Sequence, residues 1–190
     1  MKSKREGVFH RVLVLFAVCI GAVGIFYSSL IFTASPLSAD ETEKVKAALS
    51  VIEKTGFINE AYLLRDLATF RGSDNWLNAA IAKENAYAAT NYPFAVITIY
   101  PDFFAYPEDD IERAAILLHE ARHLKGDGEE EAYEFVWRNR KYLGWTEEKY
   151  GDSVTWLNIR TQTHEYAPNL FVCDFNPLGD CTAERRTLSY

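Results

Sequence analysis

The sequence predicts a small, mostly helical α+β domain preceded by one transmembrane helix. Three observations support this fold class: an uncharged apolar stretch over residues 12–34, several amphipathic helical patterns, and one β-branched and aromatic stretch, residues 94–100, bounded by prolines. A length of 190 residues allows one modest domain with appendages, and 48% hydrophobic with 25% charged residues is the composition of a folded chain.

Charge is distributed unevenly along the chain. Residues 1–35 carry four basic residues and one acidic residue, whereas the remainder carries 16 basic and 26 acidic residues. The net charge of -7 therefore combines a balance of +3 with one of -10. A domain this acidic repels phosphate backbones, so we expect no nucleic-acid partner.

Residues 12–34 predict a membrane anchor. At about 1.5 Å of rise per residue, a helix over this stretch spans the roughly 30 Å hydrocarbon layer. The basic tail over residues 1–11 precedes it, and an acidic run at 40–43 follows it. By the positive-inside rule, the N-terminus is cytoplasmic and the remainder of the chain is extracytoplasmic, either periplasmic or extracellular.

A cleaved signal peptide is the alternative, and it would make the protein secreted. Signal peptides usually have a shorter apolar region that ends at small residues. Here the best cleavage position, Leu37-Ser38-Ala39, has leucine where a small residue is required. The pattern therefore favours an uncleaved signal-anchor, followed by a linker over residues 35–40.

The rest of the chain is predicted to form a folded domain over residues 41–172. Apolar periodicity, acidic starts and terminal glycines define its helices. In chain order, we expect helices over 41–55, 59–69 and 74–89, the strand over 94–100, an aromatic loop over 103–106, helices over 110–124 and 129–143, and one or two short helices between Thr146 and the Trp156 region. The aromatic loop would lie either in the core, which is favoured, or along a substrate groove.

The tail over residues 173–190 contains two cysteines eight positions apart, Cys173 and Cys181. The turn formers Asn176-Pro177 and Gly179 lie between them and let the two sulfurs approach. In an oxidising compartment we expect a disulfide between these cysteines, and two free thiols are the alternative.

The helix over residues 110–124 carries His119, Glu120 and His123 in the pattern His-Glu-x-x-His. Residues four apart lie one turn above each other on a helix, so the two imidazoles can bind one zinc ion. Glu120 lies beside that position, where its carboxylate can accept a proton from a water molecule. The alternative is a solvated helix that contains two histidines by chance.

On these residues the chain resembles the zincin metallopeptidases, over roughly residues 94–143. The resemblance implies a small zincin-like domain with a short sheet packed on the His-Glu-x-x-His helix, and a zinc cofactor. It also implies a third ligand, for which Glu129 is the candidate, since Glu129 and Ala132 match the E-x-x-A pattern of glutamate-ligand zincins. Metzincins extend the motif through a glycine, matched by Gly126, to the same position, but the only methionine is Met1 and no Met-turn can form.

Two features depart from the glutamate-ligand pattern. The loop between the two helices is very short, and Tyr133 stands where aspartate is common. A shift of register would make Glu130 or Glu131 the ligand instead of Glu129. An acidic cluster is also simply what a helix start favours, because acidic side chains interact well with the helix dipole.

The resemblance implies hydrolysis of a peptide bond in a peptide or protein substrate, with Glu120 as the general base. His164 is the downstream candidate for stabilising the developing oxyanion, with Tyr133 and Tyr166 behind it. The strand over residues 94–100 would be either the edge on which an extended substrate pairs or an interior strand.

The sequence thus predicts a membrane-anchored zinc metallopeptidase. A catalytically inactive zincin-like binding domain is the alternative, and a membrane-tethered structural module would require the motif to be accidental. The intact Glu120 favours the enzyme, because a structural zinc site gains nothing from a general base. Arg122, between the histidines, is expected to pair with a local carboxylate rather than with substrate.

Overall fold

The structure, a computed structural model, describes residues 2–80 and 86–171. The described part is α+β and mostly helical, with a three-stranded sheet and one apolar N-terminal helix. These features confirm the predicted fold class in this general form. The predicted disulfide between Cys173 and Cys181 lies outside the described residues.

The N-terminal helix, α1, extends over Lys2–Phe32. Its segment Gly7–Phe32 is 26 residues long, and by length and composition it is able to cross a membrane. This agrees with the predicted span, although the helix begins well before that span. Most of its apolar side chains are exposed, whereas Leu30, near its C-terminal end, is fully buried.

Helix α2 covers Ala39–Lys54 and confirms the helix predicted over 41–55. It begins two residues early because a capping box forms at its start. The Ser38 hydroxyl accepts the backbone N–H of Glu41 at 3.3 Å, and the Glu41 carboxylate accepts the backbone N–H of Ser38 at 2.8 Å. These bonds satisfy two backbone donors that a helix start otherwise leaves without partners.

The helix predicted over residues 59–69 is wrong at its C-terminal end. Helix α3 covers Ile58–Tyr62 and continues into one π-helical turn, Leu63–Leu67. The chain then forms strand β1, Thr69–Arg71, whose first residue donates its backbone N–H to the carbonyl of Ala95 at 2.8 Å. Strand pairing with a distant segment therefore overrides the local helical pattern.

The helix predicted over residues 74–89 is also wrong in the described part of this stretch. A 3-10 turn covers Asn78–Ala80, and strand β2 covers Ala88–Asn91. The Asn75 side-chain carbonyl accepts the backbone N–H groups two and three positions ahead, both at 3.0 Å. Such local bonding competes with helix formation, and the alanine content did not reveal it.

A buried asparagine network joins this turn to the sheet. The Asn75 amide donates to Asn91 at 2.7 Å, Asn91 donates to Asn78 at 2.6 Å, and Asn78 donates to the Thr98 hydroxyl at 3.1 Å. All four side chains are buried. Because a buried amide without partners costs about 1–3 kcal/mol, this closed chain of hydrogen bonds fixes the position of β2.

The C-terminal half is helical. Its helices are α4 (Pro101–Ala105), α5 (Asp110–Leu124), α6 (Glu129–Leu143), α7 (Glu147–Tyr150) and α8 (Val154–Tyr166), followed by a 3-10 turn, Pro168–Leu170. Both helices predicted over 110–124 and 129–143 are confirmed. The aromatic loop predicted over 103–106 is mostly the helix α4, and Phe103 is fully buried in the core, as favoured.

Strand β3, Val96–Ile99, is the centre of the sheet, which has the order β1-β3-β2. It runs parallel to β1 and antiparallel to β2, and its four residues are buried. The strand predicted over 94–100 is therefore confirmed, but the prediction that it forms an edge for substrate is wrong. The interior alternative is correct, and β2 is the edge strand that packs against α5.

Helix α5 lies at the centre of the domain, between α2, α6 and β2. Its side chains Leu117, Leu118 and Ala121 are fully buried. Burial of one such leucine stabilises the fold by about 1.5–3 kcal/mol. On the far side of α6, the Trp137 ring lies 5.1 Å from the Trp156 ring and holds α8 in place. Helix α5 is thus a fixed platform for the side chains it carries.

A buried ion cluster joins α3 to the C-terminal end of α5. Glu60 is 5% exposed and accepts hydrogen bonds from Lys125 and, at 3.4 Å, from Arg122. Burial alone would raise the pKa of Glu60, but the Lys125 hydrogen bond and the two positive charges lower it overall. Arg122 also donates to Asp127 at 2.6 Å, which confirms its predicted pairing with a local carboxylate.

Glu60→Gln is expected to lower the free energy of unfolding by about 1–3 kcal/mol at pH 7, because two cations lose a buried partner. Since folding lowers the pKa of Glu60, its ionised form contributes its full stabilisation at pH values above the ordinary pKa of 4.5. The difference from wild type should vanish as the pH falls below that value. Denaturant titration of the detergent-solubilised chain measures both effects. Glu53→Gln is the control: it removes the exposed partner of Arg65 and should leave the free energy of unfolding unchanged. Equal losses of stability in the two variants would contradict the prediction.

Candidate metal centre

Two neighbouring helix ends form the candidate site. Helix α5 carries His119, Glu120 and His123 in its last two turns, and Glu129 is the first residue of α6. The connection reverses direction at Gly126, whose φ of +90° lies in the left-handed region that glycine adopts without strain. The Gly126 N–H donates to the carbonyl of His123 at 2.9 Å, so the start of α6 faces the histidines.

The three predicted ligands converge. The Nε2 atoms of His119 and His123 are 2.9 Å apart. One Glu129 oxygen lies 3.2 Å from His119 Nε2, and the other lies 3.4 Å from His123 Nε2. Ligand atoms about 2.0–2.1 Å from a tetrahedral metal are roughly 3.3–3.4 Å apart. The two spacings to Glu129 fit a shared ion, whereas the two Nε2 atoms lie closer together than a tetrahedral ion would hold them. The group could therefore hold a metal ion.

Neighbouring atoms orient both imidazoles. His123 Nδ1 lies 2.9 Å from the backbone carbonyl of Asp127, and a proton donated there leaves the Nε2 lone pair toward the group. The His119 ring lies 4.3 Å from the ring of Tyr133, which restricts its rotation. His119 Nδ1 is buried and has no hydrogen-bond partner among the described residues. This arrangement is one in which each histidine offers Nε2 to the same point.

The three ligands are also strongly coupled electrostatically. Hydrogen bonds from His119 and His123 hold the pKa of Glu129 far below its usual value. Burial opposes protonation of His123, but the hydrogen bond with Glu129 and the charge of Glu120 outweigh it and raise the pKa of His123 to about 9. Glu129 is therefore ionised at neutral pH, as a metal-binding carboxylate must be, whereas His123 shares a proton with it in the metal-free group, and a bound cation has to displace that proton.

Glu120 points to the side of this group. It is 4% exposed, and its Oε2 accepts a hydrogen bond from the hydroxyl of Thr90 at 2.7 Å. Thr90 lies on the edge strand β2, just after the helix that the sequence predicts over residues 74–89. The pairing of β2 with β3 places Thr90 beside Glu120, and no motif or spacing in the sequence predicts this pairing. This hydrogen bond fixes one oxygen of the carboxylate and leaves the other available.

The group lies in the wall of a cavity of about 450 Å³. Strand β2 lines one side, and Tyr133 on α6 with Gln162 and Tyr166 on α8 line the other. The Tyr133 hydroxyl donates to Gln162 at 2.9 Å, and its ring stacks on that of Tyr166 at 5.3 Å. Burial, then the negative charge of Glu129, raises the pKa of Tyr133, so this phenol remains protonated and neutral.

The structure does not bring His164 to the group. This side chain is exposed on α8, and its ring lies 5.1 Å from the ring of Phe171. Gln162 and Tyr166, two positions away on either side, line the cavity instead. An oxyanion-stabilising role for His164 therefore has no structural support.

Glu130 and Glu131, the alternative third ligands, are both exposed beside Glu129 at the start of α6. Neither belongs to the group whose ligand atoms lie within 4.8 Å of one another. The structure therefore brings Glu129, and not its neighbours, to the histidines.

Comparison of the chain with protein-family models, with curated proteins and with solved structures finds no match. The similarity to zincins consequently rests on the residues of the motif and on nothing in these comparisons.

Glu129→Ala is expected to weaken metal binding by at least about 100-fold, because it removes one of three ligands. Glu130→Ala is the matched control, since it removes the same charge one residue away, and it should leave the affinity unchanged. Competition with a chromophoric chelator, using zinc as the probe, measures both constants. Loss of affinity in Glu130→Ala with retention in Glu129→Ala would move the ligand by one residue.

Proposed function

We propose that the protein is a membrane-anchored zinc metallopeptidase that hydrolyses peptide bonds on the extracytoplasmic side of the membrane. One observation carries this proposal: two imidazole nitrogens and a carboxylate converge within 2.9–3.4 Å while Glu120 lies beside them in an open cavity. A purely structural site usually has four protein ligands and no adjacent carboxylate.

The donor set favours zinc over calcium and magnesium. Two imidazoles with one carboxylate match the three protein ligands of catalytic zinc sites, which keep a fourth position open. Calcium and magnesium prefer sites made of oxygen atoms, and these ions rarely bind to histidine. The cavity beside the group gives the fourth position access to solvent and substrate.

Zinc bound there would polarise the scissile carbonyl and lower the pKa of water toward neutrality. Glu120 then accepts the proton of the attacking water and delivers it to the leaving nitrogen. Thr90 acts as a positioning residue, because its hydroxyl holds Oε2 of Glu120 and leaves Oε1 to accept the proton. Glu120 is nearly inaccessible to bulk solvent, which limits the orientations of its side chain.

Substrate binding would use the edge strand β2. One side of β2 pairs with β3, and the other side is the open edge of the described sheet. Its residues Ala88, Ala89 and Thr90 line the cavity. An extended peptide can add to such an edge through backbone hydrogen bonds. On the opposite wall, the phenols of Tyr133 and Tyr166 replace His164 as candidate donors to the oxyanion, because both face the cavity.

Glu120→Gln is expected to retain zinc and to lower the rate of peptide hydrolysis by about 100- to 10,000-fold, because the amide cannot accept the proton. Turnover of a mixed peptide library by the full chain with stoichiometric zinc measures the rate. Glu130→Gln is the control for loss of an acidic side chain. Wild-type cleavage by Glu120→Gln would disprove the mechanism, and no cleavage by the zinc-loaded wild type would favour an inactive binding domain.

Thr90→Val is expected to lower kcat by roughly 10- to 100-fold with little change in KM, because a misplaced catalytic group loses its productive geometry. Zinc affinity should stay unchanged, since Thr90 does not touch the three ligands. Thr90→Ser keeps the hydroxyl and should restore most of the rate. Equal activity of the valine and serine variants would show that the hydrogen bond to Glu120 has no role in catalysis.

A further inference from the structure

The C-terminal end of α1 is bound to the domain. The Phe26 ring lies 4.9 Å from the Phe94 ring and 5.7 Å from the Trp76 ring. The Trp76 indole N–H donates to the Ser29 hydroxyl at 3.0 Å, and its backbone N–H donates to the Thr33 hydroxyl at 3.3 Å. The domain is thus packed directly on the apolar helix and is not held by a loose tether.

The connection that follows α1 is fixed as well. The backbone N–H of Gly72 donates to the carbonyl of Ser35 at 2.9 Å, and the backbone N–H of Ser35 donates to the Ser73 hydroxyl at 2.8 Å. A Cβ at Gly72 would lie 3.3 Å from the carbonyl oxygen of Pro36, so the two segments are closely packed. The predicted linker over residues 35–40 therefore does not allow the domain to move freely.

The length of α1 limits where these contacts lie relative to a membrane. Residues 12–25, between Arg11 and the first contact at Phe26, rise about 21 Å, which is less than the roughly 30 Å of a hydrocarbon layer. A span of about 20 residues that ends at Phe26 must begin near Gly7, with Arg11 extending its side chain back to the headgroups. A span that begins after Arg11 carries Phe26 below the surface.

Either placement brings the domain against the membrane. When Phe26 lies at the edge of the hydrocarbon layer, its ring partners Trp76 and Phe94 lie in the headgroup layer, which is about 5–8 Å thick. When Phe26 lies deeper, these two side chains reach the hydrocarbon itself. No placement that satisfies the length of α1 leaves them in bulk water.

The surface around these contacts has the composition of a membrane interface. Three large apolar or aromatic side chains are exposed there: Leu67 is 52% exposed, Trp76 is 49% exposed and Tyr92 is 62% exposed. Leu67 precedes β1, whose residue Thr69 lies 3.2 Å from the Tyr27 hydroxyl of α1. Trp and Tyr are enriched where one part of a side chain is in lipid and the other in water.

We propose that this collar (Leu67, Trp76, Tyr92 and Phe94) lies in the headgroup layer of the membrane that α1 crosses. The candidate metal cavity then opens at the surface of the bilayer, and its substrates are polypeptide segments that emerge from the same membrane. Tyr92 joins the two features, since it lines the cavity and lies close to Gly126 in the loop before the third ligand. The substrate class rests on the proposed peptidase function, whereas the position of the collar rests only on α1 crossing the membrane.

Tryptophan fluorescence tests the position of the collar in the full chain. Trp137, Trp145 and Trp156 are at most 2% exposed, so lipid quenchers should reach only Trp76. In phosphatidylcholine vesicles, we expect lipids brominated near the headgroup to quench emission more than lipids brominated at the bilayer centre. Trp76→Phe, which keeps the apolar volume, should abolish this quenching.

A transferred probe separates the collar from other exposed apolar positions. In the Trp76→Phe background, Leu67→Trp should restore quenching by the shallow brominated lipid. Leu157→Trp is the matched control, because Leu157 is 50% exposed on α8 and lies outside the collar. Absence of quenching for both Trp76 and Leu67→Trp, or equal quenching for Leu157→Trp, would overturn the proposed surface.

Cleavage of membrane-inserted substrates tests the substrate class. A single-pass peptide carries the same cleavable segment either directly after its span or beyond a helical spacer of about 40 residues, which extends roughly 60 Å. We expect the zinc-loaded full chain to cleave the membrane-adjacent segment at least ten times faster. Equal rates would overturn the substrate class. No cleavage of either peptide, with zinc bound and Trp76 quenched, would overturn the peptidase function while supporting the collar.

Discussion

The candidate site depends on one constraint, the tight reversal of the chain between α5 and α6. A helix places two imidazoles on one face but cannot by itself supply a third ligand at the same point. The left-handed backbone at Gly126 turns the chain back, so that Glu129 begins α6 next to the histidines. Its carboxylate oxygens lie 3.2 and 3.4 Å from the Nε2 atoms of His119 and His123. Burial of α5 among α2, α6 and β2 makes this arrangement rigid. The geometry of the candidate metal group is thus a consequence of helix packing and of the left-handed backbone at Gly126.

The sheet contributes to the site through position more than through its own stability. Its three short strands hold β2 beside α5, and the buried asparagine network fixes β2 from behind. Thr90 on β2 is the result: a hydroxyl delivered to the carboxylate of Glu120 at 2.7 Å. A network of neutral amides suits this task, because it adds no charge that could pair with His119, His123 or Glu129 in place of a metal ion.

The sequence predicted the parts of the fold that local chemistry determines. Helices α5 and α6 were predictable because acidic starts, apolar periodicity and terminal glycines agree. Helical spacing brought His119 and His123 together, and the resemblance to zincins supplied Glu129 as the third candidate ligand. The errors lie where distant contacts decide. Residues 88–91 become an edge strand through pairing with β3, and Thr90 therefore had no visible role. His164 illustrates the same limit, since a position on α8 does not reveal which face looks into the cavity.

The shortness of the connection at Gly126 also concerns how the protein forms. All three ligands and the carboxylate of Glu120 come from one contiguous segment, residues 119–129, within a single pair of sequential helices. Contacts of such low sequence separation close quickly and at small entropic cost. The metal group can accordingly assemble as soon as this helical hairpin pairs, before the distant strands meet. A metal ion bound at that stage would stabilise the helical hairpin while the rest of the domain folds, and this stabilisation would be independent of any catalytic activity.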